Sequence, residues 1–158
     1  MLQLIPQSWL SWNFDVLGDD GAVAQIKTSS WPESGTFSID EATFRACREG
    51  VFSGEYILEQ NGQPIARAQK PSAFLSAFVV EYQDRNYTLK KESLIGRSFV
   101  LLENDIPAGS IQPEGFLTRK VAAGLPDDMP MPVKVFILWL AILLWRREAN
   151  AQAMAAST

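Results

Sequence analysis

The stretch VFILWLAILLW, Val135 to Trp145, is eleven residues without a polar side chain, with Lys134 before it and Arg146-Arg147 after it. A membrane-crossing helix needs about 20 apolar residues to pass about 30 Å of hydrocarbon, and a run of about 10–14 is more often a buried core helix. Val135–Trp145 covers only about 17 Å at the helical rise. Lengthening it backwards through MPMPVK brings in two prolines and a lysine. Yet the run is apolar on every face, so it must be enclosed on all sides, whereas a helix lying on a sheet keeps a polar stripe. Enclosure without a bilayer means a helix inside a barrel, with Lys134 and Arg146 emerging at the two mouths. The helix is expected to start near Pro132, a residue favoured at the first helical position, and to end near Ala149, giving a central helix 132–148. The competing reading is a small membrane-anchored protein with a C-terminal span over 133–147.

The rest of the chain supports a barrel around that helix. Three segments read alike: FDVLGDDGAVAQIK (Phe14–Lys27), YILEQNGQPIARAQ (Tyr56–Gln69) and FVLLENDIPAGSIQ (Phe99–Gln112). Each opens on an aromatic residue and a short apolar run, passes a polar turn, and has a small residue ten positions after the aromatic: Ala24, Ala66, Gly109. Their starts lie 42 and 43 residues apart, the sign of a repeated supersecondary unit. Asp20-Gly21 and Asn61-Gly62 are hairpin signals, because primed turns need positive φ. The third copy carries Ile106-Pro107, which predicts a wider turn. Between the copies, Thr36–Ile39, Phe44–Arg48, Ala73–Tyr82, Tyr87–Glu92 and Phe116–Ala122 read as strands, with a turn at Asp84-Arg85-Asn86. In Tyr87–Glu92, Tyr87, Leu89 and Lys91 alternate with Thr88, Lys90 and Glu92. The total is roughly eleven strands, a sandwich or barrel pattern.

Bulk properties bound the function. At 158 residues, 47% hydrophobic and 20% charged, the chain is one ordinary globular domain, expected over residues 1–148, with Ala149–Thr158 as a flexible tail. A net charge of −4 argues against a nucleic-acid binder. With no histidine the chain lacks the commonest general base and metal ligand. With Cys47 alone it forms no internal disulfide, which fits a reducing compartment. No zinc ligand set, G-x-S-x-G, Walker loop or G-x-G-x-x-G is present. The start MLQLIPQSWLSW lacks a basic region and a cleavage site and does not read as a signal peptide. These features predict a non-enzymatic protein without a cofactor. An enzyme using carboxylates such as Asp127, Asp128 or Glu114 is the weakest reading.

A barrel of hairpin repeats ending in a helix apolar all round resembles the Tubby C-terminal-like superfamily, which includes tubby proteins, plant LURP-one-related proteins and phospholipid scramblases. The three aromatic–turn–small copies and Val133–Trp145 carry the resemblance, over about residues 9–148. It implies a closed antiparallel β-barrel of twelve strands threaded by the helix. The one strand not counted would lie in Trp9–Trp12 or Trp31–Thr36. It also implies a binding or scaffold module, cytoplasmic or peripheral to the membrane, whose ligand is an anionic membrane lipid or a protein partner. The basic residues available for a lipid phosphate are Lys90, Lys91 and Arg97 in one group and Arg119 and Lys120 in another. Scramblase-like calcium binding finds only the acidic pairs Asp19-Asp20 and Asp127-Asp128, which turn chemistry explains equally well. Cys47, beside Arg45 and Arg48, is either an activated thiol or a small buried hydrophobe. Trp9, Trp12 and Trp31 suit core packing or cover of a barrel mouth.

Overall fold

The computed structural model describes residues 1–50 and 53–157. Twelve strands run in chain order: β1 Leu2–Pro6, β2 Phe14–Gly18, β3 Gly21–Ser30, β4 Glu33–Ile39, β5 Ala42–Arg48, β6 Glu55–Gln60, β7 Gln63–Gln69, β8 Ala77–Tyr82, β9 Arg85–Lys91, β10 Phe99–Glu103, β11 Ile106–Pro113 and β12 Val121–Gly124. The helix α1 spans Met131–Ala156. Every strand pairs antiparallel with its neighbour in the chain, and β1 pairs with β12 to close the barrel.

The repeat is real in the backbone. The hairpins β2–β3, β6–β7 and β10–β11 each carry a register shift at the same place, after Val16, Leu58 and Leu101. Each bulge bends the strand and sharpens its twist, as barrel closure requires. Ala24, Ala66 and Gly109 pair directly with those three residues. Ala24 and Ala66 are buried, and a Cβ at Gly109 would lie 2.5 Å from the Gly124 carbonyl oxygen. The small residues therefore sit where space is tight. Each unit has four strands, β2–β5 and β6–β9. The third has only β10–β12 in sequence, and β1 takes its fourth place.

Several boundaries differ from the sequence expectation. The uncounted strand is Leu2–Pro6, not Trp9–Trp12 or Trp31–Thr36, although β4 does begin earlier than Thr36. Residues 73–76 and 116–120, expected within strands, are loops whose apolar residues mimic a strand. The turn expected at Asp84-Arg85-Asn86 falls at Gln83-Asp84. The turn of the third copy is tight: Asn104 and Asp105 both adopt positive φ, 51° and 64°. Pro107 sits opposite Leu102 at the bulge, where a missing N–H is tolerated. Finally, α1 continues to Ala156, so residues 149–156, expected as a flexible tail, are helix, exposed from Asn150 onward.

The core lies between the pleat and the helix. Inward positions such as Phe14 and Val16, Tyr56 and Leu58, and Phe99 and Leu101 are buried, as is α1 from Val135 through Arg146. The fit is close: a Cβ at Gly35 would lie 2.5 Å from the Trp139 indole. Trp139 in turn packs on Phe136 and edge-on to Tyr56. The run VFILWLAILLW is thus the barrel's filling. Among the described residues no helix is long and apolar enough to cross a membrane, so the anchor reading of 133–147 does not hold.

Candidate functional site

An up-and-down barrel sends alternate connections to opposite ends. The mouth where α1 enters is closed by five tight turns, 19–20, 40–41, 61–62, 83–84 and 104–105, and by the segment 125–130. These hold Asp19, Asp20, Asp40, Glu41, Asp84, Asp105, Asp127 and Asp128 and neither Lys nor Arg. Arg85, from β9, reaches into this acidic end, bonding Glu103 at 2.7 and 2.9 Å and Asp128 at 2.6 Å. The acidic pairs considered for calcium therefore belong to turns, and Asp128 already has a cationic partner.

The mouth where α1 leaves is built differently. Its connections are 7–13, 31–32, 49–54, 70–76, 92–98 and 114–120, mostly longer loops. The helix is fastened there by ion pairs. Arg147 donates to both Glu33 oxygens, at 2.6 and 3.0 Å, and to the Tyr56 hydroxyl. Lys91 donates to Glu148 at 2.7 Å. Trp145 packs on Phe99, and its indole N–H donates to the Arg97 carbonyl at 3.0 Å.

Beside the emerging helix lies a cavity of about 470 Å³. Its wall is Trp9, Leu10, Trp12, Phe14, Val121 and Trp145, and its charged rim is Arg97, Arg119 and Glu148. Arg119 donates to the carbonyls of Ser8, Trp9 and Ser11 and lies over the Trp12 ring, 4.6 Å from its centroid. Arg97 donates to the carbonyls of Thr118 and Gly115. Neither guanidinium has a carboxylate partner among the described residues. Burial, and then the charge of Arg97, hold Arg119 below the usual guanidinium value.

Of the basic residues proposed from sequence, Arg97 and Arg119 meet at this cavity. Lys90 and Lys91 do not act together: the pleat turns Lys90 outward, while Lys91 points inward to Glu148. Lys120 is exposed on the far side of its loop, beside Glu114 and Leu117. Cys47 is buried, and burial raises its thiol pKa, so it is the small core residue rather than an activated nucleophile. Trp12 covers the mouth, as expected, but Trp9 and Trp31 are exposed.

What sequence reading missed is the rim itself. Trp9-Leu10, Trp31, Phe74-Leu75, Leu94-Ile95 and Phe116-Leu117 all stand exposed on loops of this one end. In the remaining loop the sequence places Val51-Phe52, which lie outside the described residues. The signal was present: an apolar pair or Trp-Pro begins at positions 9, 31, 51, 74, 94 and 116, close to half the hairpin repeat each time. No family model, curated protein or solved structure matches this chain.

Proposed function

We propose that this chain is a non-enzymatic binding module whose ligand site is the helix-exit mouth, and that the ligand is an amphiphile with an anionic phosphate or carboxylate head. The observation that carries this is the Arg97–Arg119 pair, bonded only to neutral carbonyls at the rim of an aromatic-walled cavity. Guanidinium forks suit phosphate and carboxylate, and a partly buried charge gains from an anionic partner more than an exposed one does. The cavity volume falls in the range of small-molecule sites. The tubby-like resemblance belongs to the same proposal, supported by the twelve-stranded barrel closed around an apolar helix.

The test is titration with a short-chain phosphatidic acid, a fatty acid and inorganic phosphate, followed through the indole N–H resonances of Trp12 and Trp145. Saturable shifts with the amphiphiles, absent in Arg97→Gln/Arg119→Gln and kept in Arg97→Lys, support the site. Binding unchanged in the double variant overturns it. The phosphate arm separates recognition of the head alone from recognition of the whole amphiphile.

A further inference from the structure

We propose that the whole helix-exit end of the barrel is a membrane-docking face, whose loop tips insert side by side into the interfacial layer of a bilayer with the barrel axis near the membrane normal. This goes beyond the cavity and rests on a different observation, the placement of the chain's exposed apolar residues.

Single exposed apolar side chains are ordinary. Here they are sorted by end. Leu94, Phe74 and Phe116 are 99%, 97% and 95% exposed, and each is followed by a second exposed apolar residue. At the opposite end Met1 and Ile106 are the exposed large apolar residues. The apolar tips recur in every described loop of one rim because the up-and-down topology sends every second connection there. Burial in the core does not explain them, since none belongs to the buried cluster.

The form of the rim selects the occupant. Neighbouring tips are separated by two strands, or about 10 Å along the rim at the usual strand spacing. They are isolated points around a ring rather than one continuous patch, which a rigid protein partner would have to match tip by tip. A fluid acyl and headgroup layer closes around each tip without such matching. Trp and other aromatic side chains favour that layer. Charge agrees. The loops of this rim hold Lys70, Arg97, Arg119 and Lys120 against Glu49, Glu92 and Glu114, and Arg147 at the helix exit is paired with Glu33, whereas the turns of the far end hold eight carboxylates and neither Lys nor Arg. An anionic surface therefore repels the far end and not this one, where Arg97 and Arg119 are free of carboxylate partners among the described residues, and that difference orients the molecule. The helical post beyond Glu148, ANAQAMAA, carries no charge, so it can enter the same layer with the loops.

The experiment is co-flotation of the full chain with phosphatidylcholine vesicles, with and without phosphatidylserine, across a salt series. Wild type is expected to float with both, more strongly with phosphatidylserine, and to keep a salt-resistant fraction from apolar insertion. Lipids labelled with a quencher near the headgroup should quench Trp9 and Trp31 and spare Trp139. Leu94→Ser/Ile95→Ser and Phe116→Ser/Leu117→Ser should each lower partitioning about tenfold or more with unchanged melting temperature, since none of these side chains belongs to the buried cluster. Absence of wild-type flotation on either vesicle overturns the proposal. So does flotation that both serine pairs leave intact, or a rim that instead buries itself in a dimer seen by light scattering. Arg97→Gln/Arg119→Gln should lose the cavity ligand yet still float on phosphatidylcholine, so failure of the cavity and failure of the rim are separable.

Discussion

Gly35 shows how closely a single position is tied to the helix. It lies in β4 facing inward, where the other buried residue, Phe37, is large. Only a hydrogen fits at Gly35, because the Trp139 indole occupies the place of a side chain. Gly35→Ala is therefore expected to cost about 1–3 kcal/mol through overpacking. In a Trp139→Phe background, where the five-membered ring is gone, the same substitution should cost less by about 1 kcal/mol, read from denaturant midpoints of the four proteins. Equal costs in both backgrounds would show that the indole is not what Gly35 makes room for. Nothing in the local sequence TSSWPESGTF announces this, since the contact joins residues about a hundred positions apart. The same holds for Arg97 and Arg119. Their types suggested an anion site, but that both lack a carboxylate partner depends on loop packing that brings Ser8, Trp9 and Ser11 to Arg119.

At the scale of elements, α1 divides into a buried half and a protruding half. From Val135 to Arg146 every side chain is enclosed, each apolar one contributing about 1.5–3 kcal/mol for full burial of a large side chain. Beyond Glu148 the helix touches little but the rim of the cavity. Ending the chain after Met131 should therefore leave an apolar lumen unfilled and abolish cooperative unfolding. Ala141→Glu, which buries an unpaired carboxylate, should do nearly the same. Ending it after Ala149 should keep a sharp melt within a few degrees of the full chain. A cooperative melt from the shortest form would show that the barrel stands without its filling. The hairpins were legible because their turns are local chemistry: Asn61-Gly62 takes positive φ at both positions. The loops 70–76 and 114–120 were misread because Phe74-Leu75 and Phe116-Leu117 are apolar without being buried, and strand recognition assumes that apolar means inward.

The whole molecule is polarised, and its pH dependence should show two separate limbs. On the acid side, hydrogen bonds from Arg85 hold Glu103 below the usual carboxylate range. A depressed folded pKa means that its stabilisation is present above the unfolded value of about 4.3 and is lost as pH falls through the folded one. On the alkaline side, burial raises Tyr56 and Tyr87 above their ordinary values. Their contribution is intact below the unfolded value of about 10 and is lost as pH rises through the folded values. Denaturant midpoints should thus be flat between about pH 5 and 9 and fall on both sides. Glu103→Gln is expected to soften the acid limb and, because the Glu103 charge helps to raise Tyr87, to weaken the alkaline limb slightly, whereas Tyr87→Phe should soften the alkaline limb alone. An acid limb that Glu103→Gln leaves unchanged would place its origin elsewhere. Tyr87→Phe also removes a buried hydroxyl that has no hydrogen-bond partner among the described residues, so its plateau should not drop.

By itself the sequence determined that a helix apolar on every face must be enclosed, and that hairpins repeat around it, because burial and turn geometry act on neighbouring residues. Only the tertiary structure decided which strand closes the ring. The pairing of β1 with β12 joins the two ends of the barrel's strands, and no local preference specifies it. The tertiary structure likewise decided that Lys90 and Lys91 part company while Arg97 and Arg119 meet. It gathered apolar tips some twenty residues apart in the chain onto a single rim. In an up-and-down barrel each connection's end is set by the parity of the strands before it, a property of the closed sheet and not of any segment within it.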